Sequence, residues 1–334
     1  MAATLITSEV DLDANGKQAG YLRVPHSVDR SAYGWIGLPI VSIKNGAGPT
    51  MLMLAGVHGD EYEGQIALTK LSRELEPQDI DGQLIILTMA NYPAARASRR
   101  VSPIDEGNLN RSFPGNAMGA PTQMIAHYIE EVLLPRSDYM VDLHSGGTSL
   151  FYPATLLRGM GATEEERAKL QLLEHAFDLP FAWVFGGGGR QSTGRTALAA
   201  ANRNGVVSVM AELGGGGGID RTILADAERG LRRVLHKLKM LPGYQPDGTR
   251  GTRALSVQGS VYCYDDGVFE PFKDIADPVS PHEALGQIHF PDQPQREPAH
   301  VVSPFGGIVL AKRTLSHVQR GDAVYQIADD IQEN

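Results

Sequence analysis

Cysteine is almost missing from this sequence: Cys263 is the only one in 334 residues. A lone cysteine cannot close an intramolecular disulfide, which points to a reducing compartment. Basic stripes are missing too. The formal net charge is -9, a balance that serves solubility and argues against a nucleic-acid partner. No stretch reaches the roughly 18 uninterrupted apolar residues of a membrane span. The opening residues, Met-Ala-Ala-Thr-Leu-Ile-Thr-Ser-Glu-Val, lack the basic region and apolar core of a signal peptide. By elimination a cytoplasmic protein with no membrane contact is expected, and a homo-oligomer stays open.

An apolar fraction of 42% is enough for a real core, and the length suggests one large domain plus a smaller one. Glycine is abundant, with 38 residues, many in short clusters. The chain is organised around residues 51–64. There an apolar run, strand-like in character, ends at Gly56 and is followed by His58, Glu61 and a helical pattern. Ile66, Leu68, Leu71 and Leu75 repeat at helical spacing up to Pro77, and residues 83–90 form a second apolar run. A strand, a helix and a strand in about forty residues make a βαβ unit, hence a parallel sheet. The run at 36–43 is expected to lie beside that at 51–55 in the same sheet.

Residues 91–116 are polar, rich in arginine and interrupted by Pro and Gly. A long irregular stretch inside a compact domain is usually functional. Further on, helices are expected over 121–134, 163–178, 196–201 and 222–240. Strands are expected over 139–144, 181–185 (before the glycines 186–189) and 206–213. From about Gly251 helical periodicity disappears, and short strand-like runs alternate with Gly, Pro and Asp. We therefore expect domains at 1–245 and 246–334, the second a small all-β barrel or sandwich. Its residues 302–310 and 318–324 are similar to lipoyl or biotinyl carrier domains. Lys312 is off-pattern for the modified lysine of such domains, so only a barrel-like fold is implied.

His58 and Glu61 stand three apart where a strand gives way to a helix, and His144 ends another apolar strand. In open parallel sheets, sites form beyond the carboxyl ends of the strands. Two imidazoles and one carboxylate can hold a zinc ion with one coordination position open. Taken singly, each histidine is better read as structural; together with Glu61 they favour a metal. Asp142, two residues before His144, could hydrogen-bond a ligand imidazole. Glu212 ends a buried run before five glycines. A carboxylate there needs a partner or a task, and a general base for a water is one such task; a salt-bridged strand end is the alternative. Arg99, Arg100 and Arg111 lie in the long loop, where a guanidinium could clamp a carboxylate or stabilise an oxyanion.

Six motifs appear in order: His58-Gly-Asp-Glu61, Asn91-Tyr-Pro, Ser102-Pro-Ile-Asp, Asn108-Leu-Asn-Arg111-Ser-Phe-Pro-Gly, Asp142-Leu-His144-Ser-Gly-Gly and Glu212-Leu-Gly-Gly. Together they resemble the succinylglutamate desuccinylase/aspartoacylase family of zinc amidohydrolases, over residues from about 35 to 330. The Ser102 and Asn108 motifs, with Gly20-Tyr-Leu-Arg-Val-Pro-His-Ser, look most like the N-acetyl-diaminobutyrate deacetylases of ectoine breakdown. The resemblance implies an α/β fold of the zinc-carboxypeptidase type: a mixed, mostly parallel sheet flanked by helices, with a small C-terminal β domain. It implies one zinc ion per chain on His58, Glu61 and His144, and Glu212 as general base and acid. It further implies Arg100 at the oxyanion and Asn110 and Arg111 on the carboxylate of a small N-acyl amino acid. A zinc carboxypeptidase or amidase acting on peptides, and a non-catalytic small-molecule binder, are the alternatives.

Overall fold

The computed structural model describes residues 3–186 and 193–331; of the expected glycine run 186–189, positions 187–189 lie outside them. The chain opens with β1 (Thr7–Ser8), β2 (Gly16–Pro25) and β3 (Trp35–Asn45). The expected βαβ unit follows as β4 (Thr50–Ala55), α1 (Glu63–Glu74) and β5 (Gly82–Leu87), with β4 and β5 parallel. The long polar loop carries one short helix, α2 (Tyr92–Arg96), and a 3-10 turn at Leu109–Arg111. Then come α3 (Pro121–Tyr128), continued by tighter and wider turns to Arg136, and β6 (Tyr139–His144). The helical part closes with β7 (Leu150–Gly159), α4 (Glu164–Phe177), β8 (Phe181–Phe185), α5 (Ala197–Arg203), β9 (Val207–Gly215) and α6 (Arg221–Lys237).

The described residues after this are strands and turns: β10 (Arg253–Tyr262), β11 (Gly267–Pro271), β12 (Pro278–Val279), β13 (Ala284–His289), β14 (Ala299–Val302), β15 (Gly307–Arg313), β16 (His317–Val318) and β17 (Ala323–Asp330). One sheet runs β1-β2-β3-β5-β4-β6-β9-β7-β8-β10-β17-β15-β12, and a small second sheet runs β14-β13-β11-β16. Pairing is parallel along β5-β4-β6-β9 and along β7-β8-β10. The two flanks, and the junction of β7 with β9, are antiparallel. The expectation of a mostly parallel sheet therefore holds only for the centre.

Two other expectations are corrected. β3 and β4 share the sheet but are not neighbours, because β5 lies between them. All of β5 is buried, and a strand with both faces covered and both edges paired takes a central place. The ten-residue β7 was not foreseen; its Pro153 and mixed polarity break the strand pattern, and Pro in a strand counts against one in sequence.

Alternation along β4 shows how the layers form. Met51 and Met53 pack with Leu68 of α1, Leu173 of α4 and Leu231 of α6, whereas Leu52 and Leu54 pack with Ile125 of α3 and Ala201 of α5. Helices thus cover both faces of the centre, as parallel strands require. At the end of β4 the chain turns through Gly56, whose φ of +65 suits a residue without Cβ. The register sets Leu54 opposite Asp142, and His144 opposite Glu212. Strands β4, β6 and β9 therefore deliver their ends to one edge.

Candidate metal centre

His58 follows β4, Glu61 immediately precedes α1 and His144 is the last residue of β6; all three are buried. Their ligand atoms lie within 4.8 Å of one another. His58 Nδ1 is 2.7 Å from Glu61 Oε1, His144 Nδ1 is 2.9 Å from Glu61 Oε2, and the two Nδ1 atoms are 3.2 Å apart. Each ring's other nitrogen meets an acceptor. His144 Nε2 lies 2.9 Å from Asp142 Oδ2, as the sequence suggested, and His58 Nε2 lies 3.2 Å from Asn108 Oδ1.

These outer contacts test whether the residues fit a cation. If both Nε2 atoms donate to their acceptors, both Nδ1 atoms carry lone pairs. Two ring lone pairs and a carboxylate then converge at one point, a set of acceptors suited to a divalent ion. Acceptors on the far side of ligand imidazoles are the usual means of fixing ring orientation. Without an ion the charges compensate one another. Burial alone would push Glu61 up, but His144 and His58 hold it below the usual carboxylate range. Burial opposes a charge on His144, but Asp142 and Glu61 outweigh it and hold its pKa well above the usual imidazole value. Burial keeps His58 low.

Glu212 stands beside this cluster on β9. Its Oε2 is buried with no hydrogen-bond partner among the described residues. Burial first, and then the Glu61 carboxylate, push it up to about 8. A carboxyl in such a state is suited to take up and release a proton near neutral pH.

Arg100, Asn110 and Arg111 reach the same cavity, of about 880 Å³. Arg100 Nη1 is 3.4 Å from His58 Nδ1 and 3.6 Å from Glu61 Oε1. Arg99 instead uses its main-chain carbonyl, which accepts from Gly59 N–H. Asn110 Oδ1 accepts from Ala197 N–H at 2.9 Å, tying the long loop to the start of α5, so its Nδ2 is the group left for a ligand. Burial first, and then the neighbouring Arg100, lower the Arg111 pKa.

Sequence reasoning named all seven of these residues and missed most of the wall. Met210 of β9, Leu157 of β7 and Trp183 of β8 are paired across the three strands and form an apolar floor. Tyr152 Oη donates to Gln326 Oε1 of β17 at 2.9 Å, and both line the cavity. No spacing signal links residues so distant; only the adjacency of β7 to β8 and β15 does. Asn108 was visible in its motif but had no assigned task.

The chain is similar to known proteins over most of its length. Residues 47–238 match the succinylglutamate desuccinylase/aspartoacylase catalytic domain. The chain is 36% identical over 332 residues to an N-alpha-acetyl-L-2,4-diaminobutyric acid deacetylase of Halomonas elongata, covering 98% of this chain and 96% of that one. The crystal structure of a succinylglutamate desuccinylase/aspartoacylase from Rhodobacter sphaeroides superposes with a TM-score of 0.91 at 36% identity, covering 98% and 99% of the two chains. The product-bound ectoine utilization protein EutE (DoeB) of Ruegeria pomeroyi gives 0.92 at 35% identity, over 98% and 100%. None of the helices is long and apolar enough to cross a membrane, among the described residues.

Proposed function

This chain belongs to the succinylglutamate desuccinylase/aspartoacylase family, and from that premise we propose that it hydrolyses the amide bond of a small N-acyl amino acid with one zinc ion on His58, Glu61 and His144. The observation that carries this reading is the convergence of three acceptors beside a carboxyl whose inner oxygen is buried and whose pKa is raised to about 8. A set of two histidines and one carboxylate suits zinc with an open position. The bound ion would supply a Lewis acid that acidifies a water and polarises the scissile carbonyl.

The chain's own groups do the rest. Glu212 accepts a proton from the attacking water at its unpartnered Oε2 and returns it to the leaving amine. Arg100, beside Glu61 and His58, faces the oxygen that gains charge. Arg111 and the Asn110 Nδ2 hold the free carboxylate. A cavity of about 880 Å³ fits a ligand of this size. The substrate we favour is Nα-acetyl-L-2,4-diaminobutyrate, the compound named for the Halomonas relative. The carboxypeptidase-like character of the central sheet, and a joint near residue 245 between a catalytic domain and a β domain that contributes Gln326, belong to the same reading.

The test is turnover of a panel of N-acetyl, N-succinyl and N-formyl amino acids, with metal analysis of the purified protein. Activity on acetyl-diaminobutyrate that disappears with chelator and in Glu212→Gln is expected. Full activity in Glu212→Gln would overturn the mechanism, and greater activity on peptide C-termini would overturn the substrate class.

A further inference from the structure

One acidic residue between the candidate ligands, Asp60, has no part in this chemistry. It is buried, at 6% exposure. Its Oδ2 accepts both hydrogen bonds that Thr148 can donate, from the main-chain N–H at 2.8 Å and from the hydroxyl at 2.9 Å. Its Oδ1 is buried and has no partner among the described residues. A buried carboxylate is costly unless donors compensate it. Here both donors come from a single residue 88 positions away in sequence.

Thr148 sits in the turn that follows His144 and leads into β7. Ser145, Gly146, Ser149 and Leu150 of this turn form part of the cavity wall. Gly147 lies directly against the carboxylate. Its φ is +56, and a Cβ there would come 2.7 Å from Asp60 Oδ2. The bare Cα lets the turn close onto Asp60. On its other side the turn is tied to the C-terminal strands: Thr314 Oγ1 donates to Thr148 O at 2.6 Å, and Thr314 N–H donates to Ser149 O at 3.0 Å. Asp60 is the charged member of this set, and charge-assisted bonds are the stronger ones.

We infer that Asp60 is a positioning residue for substrate binding, one that locks the wall formed by residues 145–150 to the segment carrying His58 and Glu61. Its kinetic consequence rests on the hydrolase reading above; its structural consequence does not. A residue that merely stabilised the fold would lower the melting temperature and leave KM alone. One that served the metal would lower zinc content and kcat together. An anchor for the wall raises KM and leaves both of the others in place.

The test uses the zinc-loaded full chain with Asp60→Ala, Asp60→Asn and Thr148→Val. In Asp60→Ala, which removes both bonds, KM for acetyl-diaminobutyrate is expected to rise roughly tenfold, roughly threefold for each bond lost, with kcat and zinc content held. Asp60→Asn, which keeps an acceptor for the Thr148 N–H, should recover part of that loss. Thr148→Val removes one of the two bonds and should raise KM by roughly threefold. Hydrogen exchange of the Thr148 amide gives a reading that needs no substrate. It should speed up by about tenfold in Asp60→Ala, so the anchor is tested even if acetyl-diaminobutyrate is not turned over. Unchanged KM and unchanged exchange would overturn the inference, as would a joint fall of kcat and zinc content at constant KM. If Asp60→Ala does not fold, Thr148→Val decides on KM, with hydrogen exchange of the 146–150 amides as its second reading.

Discussion

Tyr325 in β17 and Glu212 in β9 are polar side chains on strands of one sheet, the first buried and the second half-buried with one oxygen turned inward, and their surroundings are opposite. Tyr325 is 1% exposed. Its Oη lies within 3.0 Å of Lys273 O and 3.2 Å of Leu285 O, and it accepts from Lys273 N–H. Glu212 has a buried oxygen with no partner among the described residues. The pattern extends beyond this pair. Among the described residues, the buried side-chain oxygens without partners belong to Asp60, Glu63, Asn91, Asp142, Ser208 and Glu212, all before residue 213. The C-terminal strands satisfy their polar groups and pack an apolar core around Val261, Leu285 and Ile327. The centre keeps groups that cost stability. Such costs persist where the surrounding structure imposes them, and they gather at functional sites.

This contrast predicts that substitutions in the centre remove activity and spare stability, and that those in the tail do the reverse. The largest effect is expected for Glu212→Gln: kcat should fall by about 10³-fold or more, while thermal unfolding shows an unchanged or higher midpoint, because an amide of nearly the same shape replaces a carboxyl that burial and Glu61 already hold against ionisation. A lower midpoint would break the comparison. Removing the metal with a chelator should stop turnover, and zinc should restore it; His144→Ala should resist that rescue, read as initial rate against added zinc. In the tail, Tyr325→Ala should cost about 3 to 5 kcal/mol in denaturant unfolding, with kcat retained in the folded fraction.

The smallest effect lies where the end of α4 meets residues 250–251. Asp178 caps α4, and burial pushes its carboxyl up, but the N–H groups of Arg250 and Gly251 and the Arg229 guanidinium outweigh this and hold its pKa below the ordinary value. A carboxyl depressed by folding contributes stability above its unfolded pKa and loses it as pH falls through the folded one. Asp178→Asn should therefore cost about 2 kcal/mol at pH 7 and nearly nothing at the acid end. A melting series from neutral pH to below about 4 checks this; a gap between variant and parent that stays constant with pH would remove Asp178 as the titrating anchor.

The site was more legible than the sheet. His58, Glu61 and His144 could be grouped because each stands at the end of an apolar run, and runs that end together in a parallel sheet converge. Spacing could not separate Arg100 from Arg99, since adjacent residues of a loop carry no periodicity; the motif resemblance pointed to Arg100, and it is Arg100 whose guanidinium lies beside His58. The apolar floor of Met210, Leu157 and Trp183 was hidden for another reason. It depends on β7, whose Pro153 masks the strand, and on pairings between strands far apart in sequence.

What the sequence determined by itself was local: apolar runs that become buried strands, helices with one apolar stripe, glycines where the chain must turn, and side chains chemically able to hold a cation. Alternation and spacing act over a few residues, and the chain expresses them wherever it folds. Tertiary structure decided the neighbours. It set β5 between β3 and β4, brought Gln326 to Tyr152, and gave Asp60 the task of holding Thr148. Those contacts join residues tens to more than a hundred positions apart, so strand order and the packing of whole layers settle them.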